Sequence, residues 1–270
     1  MSHRGGSLEY IENSLPGFRY SARVLRVSLL ETDVHLTRDG QIVLFHDDDM
    51  GRMCGPAYAG RAIHDFDYAD LPPLVVPAFL KDHPHVVNDK DATRIPLLEE
   101  VFRELPRYPI QIDIKGGPRE LADKTAALIR QYGHEGSVVW GSFRQPQSDY
   151  CAAHPDIPRF TSFRKLSWAL LAHWFGLLGW VQLPEQMAVV PYLGPLKSAS
   201  FWQALGDRGV AVIPFGPAPN GINDPTFYEE IRRRGAAGIC TDRPTLLATW
   251  LQTHRLRVPT RRAAVRDKQD

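Results

Sequence analysis

The chain has 270 residues, enough for one large domain or two small ones, and its 43% hydrophobic and 23% charged content excludes collagen-like, coiled-coil and wholly disordered classes. Lys and Arg (32) nearly balance Asp and Glu (31), so no net field marks a nucleic-acid partner and any charged chemistry is local. Three scattered cysteines, Cys54, Cys151 and Cys240, lack C-x-x-C spacing and argue against disulfides or zinc; with no apolar leader after Met1, an intracellular location is expected.

In chain order, short apolar runs predict strands at 27–34, 41–45, 109–114, 137–140, 187–190, 209–213 and 237–240. Amphipathic stretches predict helices at 97–105, 119–132, 147–154, 200–208, 225–234 and 245–254. Pro96, Pro118, Pro146, Pro225 and Pro244 stand at or beside those starts, where a missing N–H costs nothing. The alternation runs through the chain without a linker, which predicts one parallel α/β domain over 1–254, of the size of a (β/α)8 TIM barrel.

Three segments depart from the alternation. Residues 51–93, rich in Asp, His and Pro, read as a long loop excursion beside the barrel mouth. Residues 166–184 hold no formal charge and carry Trp168, Trp174 and Trp180. This run approaches the ~20 residues that span a bilayer, but Ser167, His173, Gln182 and Pro184 dilute it. Trp favours the membrane interface and Arg164 and Lys165 can reach headgroups, so membrane-surface contact is expected; a buried barrel helix is the alternative. The basic tail, 255–270, is expected to be disordered.

Residues two apart on a strand share a face, so Glu31 and Asp33 project together. At the C-terminal end of a barrel strand that face opens into the active-site mouth, where paired carboxylates need a neutralising partner such as Mg²⁺ or Ca²⁺. Asp39-Gly40 predicts a tight turn that returns the chain through 41–45 and presents His46 near the same rim. Asp113 and Lys115 share one face of a second apolar strand, either as an ion pair, or facing water, or as part of a site. His3 and Arg4 place an imidazole beside a phosphate-matching guanidinium. His35 and His64 are read as packing or surface residues.

The series His3-Arg-Gly-Gly6, Glu12-Asn-Ser14, Glu31-Thr-Asp33 through Asp39-Gly40 to His46-Asp47, Ile95–Val101, Ile112-Asp-Ile-Lys115 and Gly235–Pro244 resembles, in order, the glycerophosphodiester phosphodiesterase family. Arg94–Phe102, Pro109–Lys115 and Val138–Gly141 look like its branch of membrane-associated lysophospholipase D enzymes. The resemblance implies a TIM barrel, one divalent cation held by Glu31, Asp33 and Asp113, phosphate contacts from Arg4 and Lys115, and proton transfer by His3 and His46. It implies hydrolysis of a lysophospholipid, with a water-soluble glycerophosphodiester as the alternative substrate and a catalytically inactive lipid-binding barrel as the alternative function. Two departures stand out. Only Met1 and Ser2 precede His3, so the first barrel strand is expected to be truncated. Ile213-Pro-Phe-Gly-Pro217 occupies the place of the family's W-x-x-N run, leaving open which aromatic caps the site.

Overall fold

Residues 1–216 and 221–254 are described by the computed structural model; Pro217 and the tail at 255–270 lie outside the described residues. Apolar residues at every second position give the strands a face that packs under helices and leave the other face for the interior. β1 (Leu30–Leu36) pairs in parallel with β3 (Ile110–Ile114), and β3 with β4 (Val138–Gly141), while β2 (Ile42–Leu44) folds back antiparallel on β1. β5 (Met187–Pro191) and β6 (Ala211–Phe215) form a second parallel pair. Single-residue parallel bridges link the two groups: Trp140 with Arg159, Phe160 with Met187, Phe215 with Cys240, and Ser2 with both Thr241 and Leu30. These bridges lie between two separate sheets, one of four strands and one of two.

Where a truncated first strand was expected, Ser2 alone bridges both Leu30 and Thr241. Ser2 N–H donates to the Leu29 carbonyl (3.0 Å) and the Ser2 carbonyl accepts from Glu31 N–H (3.0 Å). On the other edge, His3 N–H donates to Thr241 (3.0 Å) and Thr241 N–H to Met1 (3.1 Å). One residue in register satisfies both edges, so Met1 and Ser2 suffice to position His3. Likewise the run at 237–240 contributes only the bridge at Cys240 rather than a strand, and the pairing segment at Arg159–Phe160 had no apolar run to announce it.

The helices wrap the outer faces. α1 (Leu15–Arg19), which the periodicity did not predict, precedes β1. The 51–93 excursion folds into α2 (Gly51–Cys54), short 3₁₀ turns and α3 (Pro84–Val87). It is not an open loop: Met53, Ile63, Leu74, Leu80 and Val86 bury together with Val43 and Phe45. α4 (Leu98–Glu104), α5 (Arg119–Gln131) and α6 (Gln145–Ala152) cover β1, β3 and β4. In α5, Leu121, Ala122, Thr125, Ala126 and Ile129 make one buried stripe, as helical spacing requires. Each large apolar member contributes roughly 1.5–3 kcal/mol by leaving water.

α7 (Phe163–Trp174) occupies most of the Trp-rich segment, its N-terminus capped by Ser162 Oγ, which accepts from Lys165 N–H (3.2 Å). It buries Leu166, Ala169 and Leu170 but leaves Trp168, Leu171 and Trp174 exposed, and the chain beyond exposes Phe175, Leu177 and Trp180, the last at 87%. The segment is therefore neither a buried helix nor a span: among the described residues no helix is long and apolar enough to cross a membrane. α8 (Ala199–Gly206), α9 (Pro225–Arg233) and α10 (Pro244–Thr253) complete the layer over β5 and β6.

Candidate active site

Every residue singled out from the sequence as a site candidate, namely His3, Arg4, Glu31, Asp33, His46, Asp113 and Lys115, lines one cavity of about 1100 Å³. The strand register explains the convergence. Glu31 lies opposite Gln111, and Asp33 opposite Asp113, so alternation delivers all four side chains to one wall. Lys115 follows directly, its Nζ 2.7 Å from Asp33 Oδ1 and 2.5 Å from Asp113 Oδ2.

His3 and Arg4 reach the cavity through a sharp reversal. Arg4, Gly5 and Gly6 all take positive φ (50°, 81° and 99°), a run that glycine tolerates without strain and that Arg4 adopts at a cost. A Cβ on Gly6 would meet Pro244 Cγ at 2.8 Å, so the turn is packed against the start of α10. Arg4 N–H donates to Glu31 Oε2 (2.8 Å); Arg4 Nε lies 3.4 Å from Asp33 Oδ2 and Nη1 3.2 Å from Glu12 Oε1.

The predicted Asp39-Gly40 turn forms, with Gly40 at φ 80°, and the antiparallel register Val34 with Leu44 returns the chain beside Asp33, whose carbonyl accepts from Phe45 N–H. His46 follows on the rim, and its Nδ1 lies 2.6 Å from Asp47 Oδ1. His35 and His64 stay out of the cavity: His35 is buried against Phe45, and His64 is exposed. Burial pushes the His35 imidazole down to about 4.

The wall is electrostatically uneven. Burial, then Asp33, pushes Glu31 up to about 7. Against the effect of burial, Lys115 and Arg4 hold Asp33 well below the carboxylate range. Burial raises Asp113, whose Oδ1 has no hydrogen-bond partner. Burial disfavours the His3 imidazolium, but Glu31 and Asp242 together raise its pKa.

Several participants were not singled out from the sequence. Asp242, in the Thr-Asp-Arg-Pro turn after Cys240, accepts from His3 Nδ1–H (2.5 Å), Ser7 Oγ (2.6 Å) and Asn223 Nδ2 (2.9 Å). This fixes the tautomer of His3 and leaves its Nε2 directed toward the Glu31 side, 3.9 Å from Oε2. Asn13 donates to Asp33 Oδ2 (3.0 Å). Arg52 spans Glu12 and Asp47 with contacts of 2.5–3.0 Å. Among the described residues, Glu12, His46 and Asp47 are the group whose ligand atoms all lie within 4.8 Å of one another. Arg52 already occupies both of those carboxylates. Another part of the lining is apolar, with Phe143, Phe163, Val189 and Phe215; Phe143 is stacked on Phe163 at 4.5 Å and lies 6.0 Å from Phe215.

A sequence model of the glycerophosphoryl diester phosphodiesterase family matches residues 3–246. The chain belongs to the glycerophosphoryl diester phosphodiesterase family. Within the family, it is 29% identical to human lysophospholipase D GDPD3, covering 94% of this chain and 85% of that protein. It is 30% identical to mouse lysophospholipase D GDPD1, covering 93% and 85%. Among solved structures, the fold matches a glycerophosphodiester phosphodiesterase from Agrobacterium tumefaciens (TM-score 0.70, 19% identity, 92% and 97% of the two chains). It also matches an Oleispira antarctica phosphodiesterase in complex with sn-glycerol-3-phosphate (TM-score 0.70, 18% identity, 93% and 95%). The family motifs are thus assembled in a single cavity, with Phe215 lining the wall near where the family's W-x-x-N run was expected.

Proposed function

We propose that this protein is a metal-dependent lysophospholipase D-type phosphodiesterase, releasing the headgroup alcohol from a lysophospholipid on a (β/α)8 barrel formed by residues 1–254. The observation that carries the proposal is one cavity with two unlike walls, a charged one suited to a phosphodiester and an aromatic one suited to a lipid. The relatives named lysophospholipase D support the same substrate class.

Glu31, Asp33 and Asp113 are the residues that would hold a divalent cation. They supply only hard oxygen donors, Asp113 Oδ1 is buried without a hydrogen-bond partner, and Glu31 and Asp33 share one face of β1. These features fit Mg²⁺ or Ca²⁺. When bound, such an ion supplies Lewis-acid stabilisation of charge growing on the phosphate. Arg4 and Lys115 bind the phosphate oxygens and add to that stabilisation. His3 and His46 divide the proton transfers: one imidazole accepts the proton of the attacking glycerol hydroxyl as its oxygen bonds to phosphorus. The other donates a proton to the headgroup oxygen as its bond to phosphorus breaks. Water then opens the cyclic phosphate to give the lysophosphatidic acid.

Exposed apolar side chains line the cavity on two segments, Val75 and Phe79 from the excursion and Phe163 from α7, and others follow along α7 and past its end to Trp180. They support peripheral contact with a membrane surface, the mouth toward the lipid.

The test is choline release from lysophosphatidylcholine by purified protein with Mg²⁺ or Ca²⁺. Release abolished by EDTA and restored by either ion is expected. Turnover of glycerophosphocholine alone would assign the water-soluble substrate instead, and vesicle binding without any turnover would leave an inactive lipid-binding barrel.

A further inference from the structure

We propose that the aromatic wall and the adjoining flank of α7 form a track for the single acyl chain of the substrate; this rests on the lysophospholipid reading above and specifies how the lipid part is held. Phe163 joins the two surfaces. It lines the cavity, stacks on Phe143, and is the first residue of α7. At about 100° per residue, Ser167, Leu171 and Trp174 fall within roughly 80° of Phe163 around the helix, forming one stripe beside the buried flank of Leu166, Ala169 and Leu170.

All four stripe residues are exposed, and none carries a charge. Lys165, one of the two cations in the first turn, is drawn away onto Glu185 Oε1 (3.0 Å). From Phe163 to Trp174 the stripe runs about 16 Å at 1.5 Å per residue. One leaflet's hydrocarbon, half of a ~30 Å core, is about as deep. Inward, the lining includes Phe143, Val189 and Phe215 and, in the same cavity, Arg4 and Lys115. A phosphate held by that charged wall leaves its glycerol-linked chain a continuous apolar exit along α7. The occupant is thus an acyl chain rather than a second protein, because the stripe is an extension of the cavity wall rather than a separate face.

The experiment compares palmitoyl and hexanoyl lysophosphatidylcholine, both as monomers below their micelle concentrations, with glycerophosphocholine. The metal-loaded wild type is set against Leu171→Glu, Ser167→Glu and Trp174→Ala. All three changes are at exposed positions, and thermal melting verifies folding. The wild-type KM is expected to fall with chain length. Each variant is expected to raise the palmitoyl KM about tenfold relative to the hexanoyl KM. A wild-type KM independent of chain length, an unchanged palmitoyl-to-hexanoyl ratio, or equal losses on all three substrates would overturn the track. Failure of the wild type to cleave any lysolipid while cleaving glycerophosphocholine is a different result, and it overturns the proposed function itself.

Discussion

On the side of the cavity built by β1 and β3, the inward residues are Glu31, Asp33, Gln111 and Asp113. On the side built by β4, β5, β6 and the start of α7, they are Phe143, Val189, Phe215 and Phe163. The residues named on the first side all stand on two paired parallel strands, whereas of the apolar ones Val189 and Phe215 stand on strands, Phe143 follows β4 and Phe163 opens α7. The cost of burial differs too. The charged side is stable only as a mutually neutralised network, and removing one member of a buried ion pair costs roughly 3–5 kcal/mol. The apolar side requires no partners and meets its penalty only where it reaches water at the mouth. The proposed function therefore assigns chemistry and lipid recognition to different walls, which can be damaged separately.

The largest effect expected is on the charged wall. Glu31→Gln, or metal removal by EDTA, should lower turnover by about a thousandfold or more. Because the loss is in the chemistry, it should be the same for glycerophosphocholine and for a lysolipid, measured as choline release. A loss confined to the lysolipid would break the division between the walls. Next comes Asp242→Asn. The amide has one acceptor oxygen where the carboxylate has two, and it carries no charge to support the His3 imidazolium. It cannot serve His3 Nδ1–H and Asn223 Nδ2 together, so kcat should fall about a hundredfold with little change in KM. Equal kcat in the variant would show that Asp242 only braces the turn through Ser7 and Asn223.

A smaller effect is expected at the outer end of the apolar region. Replacing Trp168 and Trp180 together by Asp should weaken sedimentation with phosphatidylcholine and phosphatidylserine vesicles by about tenfold. Both side chains already face solvent, so the melting temperature should hardly move. Unchanged sedimentation would confine lipid contact to the cavity wall.

The two walls were not equally legible in the sequence. Glu31, Asp33, Asp113 and Lys115 were readable because two-residue spacing on an apolar strand is a local signal. The Asp39-Gly40 turn and His46 were readable for the same reason. Asp242 was not, because its meaning lies in a contact with His3, more than 200 residues away in the chain. The aromatic wall was also hidden: Phe143 follows β4, Phe163 opens α7 and Phe215 ends β6, and an isolated Phe in each place looks like ordinary core. The fold's alternation was visible, whereas Ser2 and Arg159–Phe160 pair through one or two residues, too few to show any periodicity. In the Trp-rich segment, Trp168 and Trp174 stand on α7 and Trp180 lies beyond its end.

The smallest effect expected lies outside both walls, in the helical layer behind the charged one, and it tests whether that side is also the first to loosen in acid. His134 is buried, stacks on Phe102 at 4.2 Å, and its Nε2 accepts from Arg107 N–H (3.1 Å). The ring is therefore neutral with its proton on Nδ1, shared with Ser137 Oγ at 3.0 Å. Burial lowers its pKa below the ordinary value of 6.5. Protonation would turn Nε2 into a donor facing another donor, at a residue, Arg107, already held at φ 56°. Since the folded state binds this proton less readily than the unfolded chain, the stabilisation is complete above about pH 6.5 and is lost as pH falls below it toward the lowered value. Melting curves from pH 7.5 to 5.5 should show a falling midpoint, and His134→Gln, whose amide oxygen can still accept from Arg107, should flatten that fall. An identical slope in the variant would place the acid-sensitive group elsewhere, with buried His35 on β1 the next to test by the same substitution.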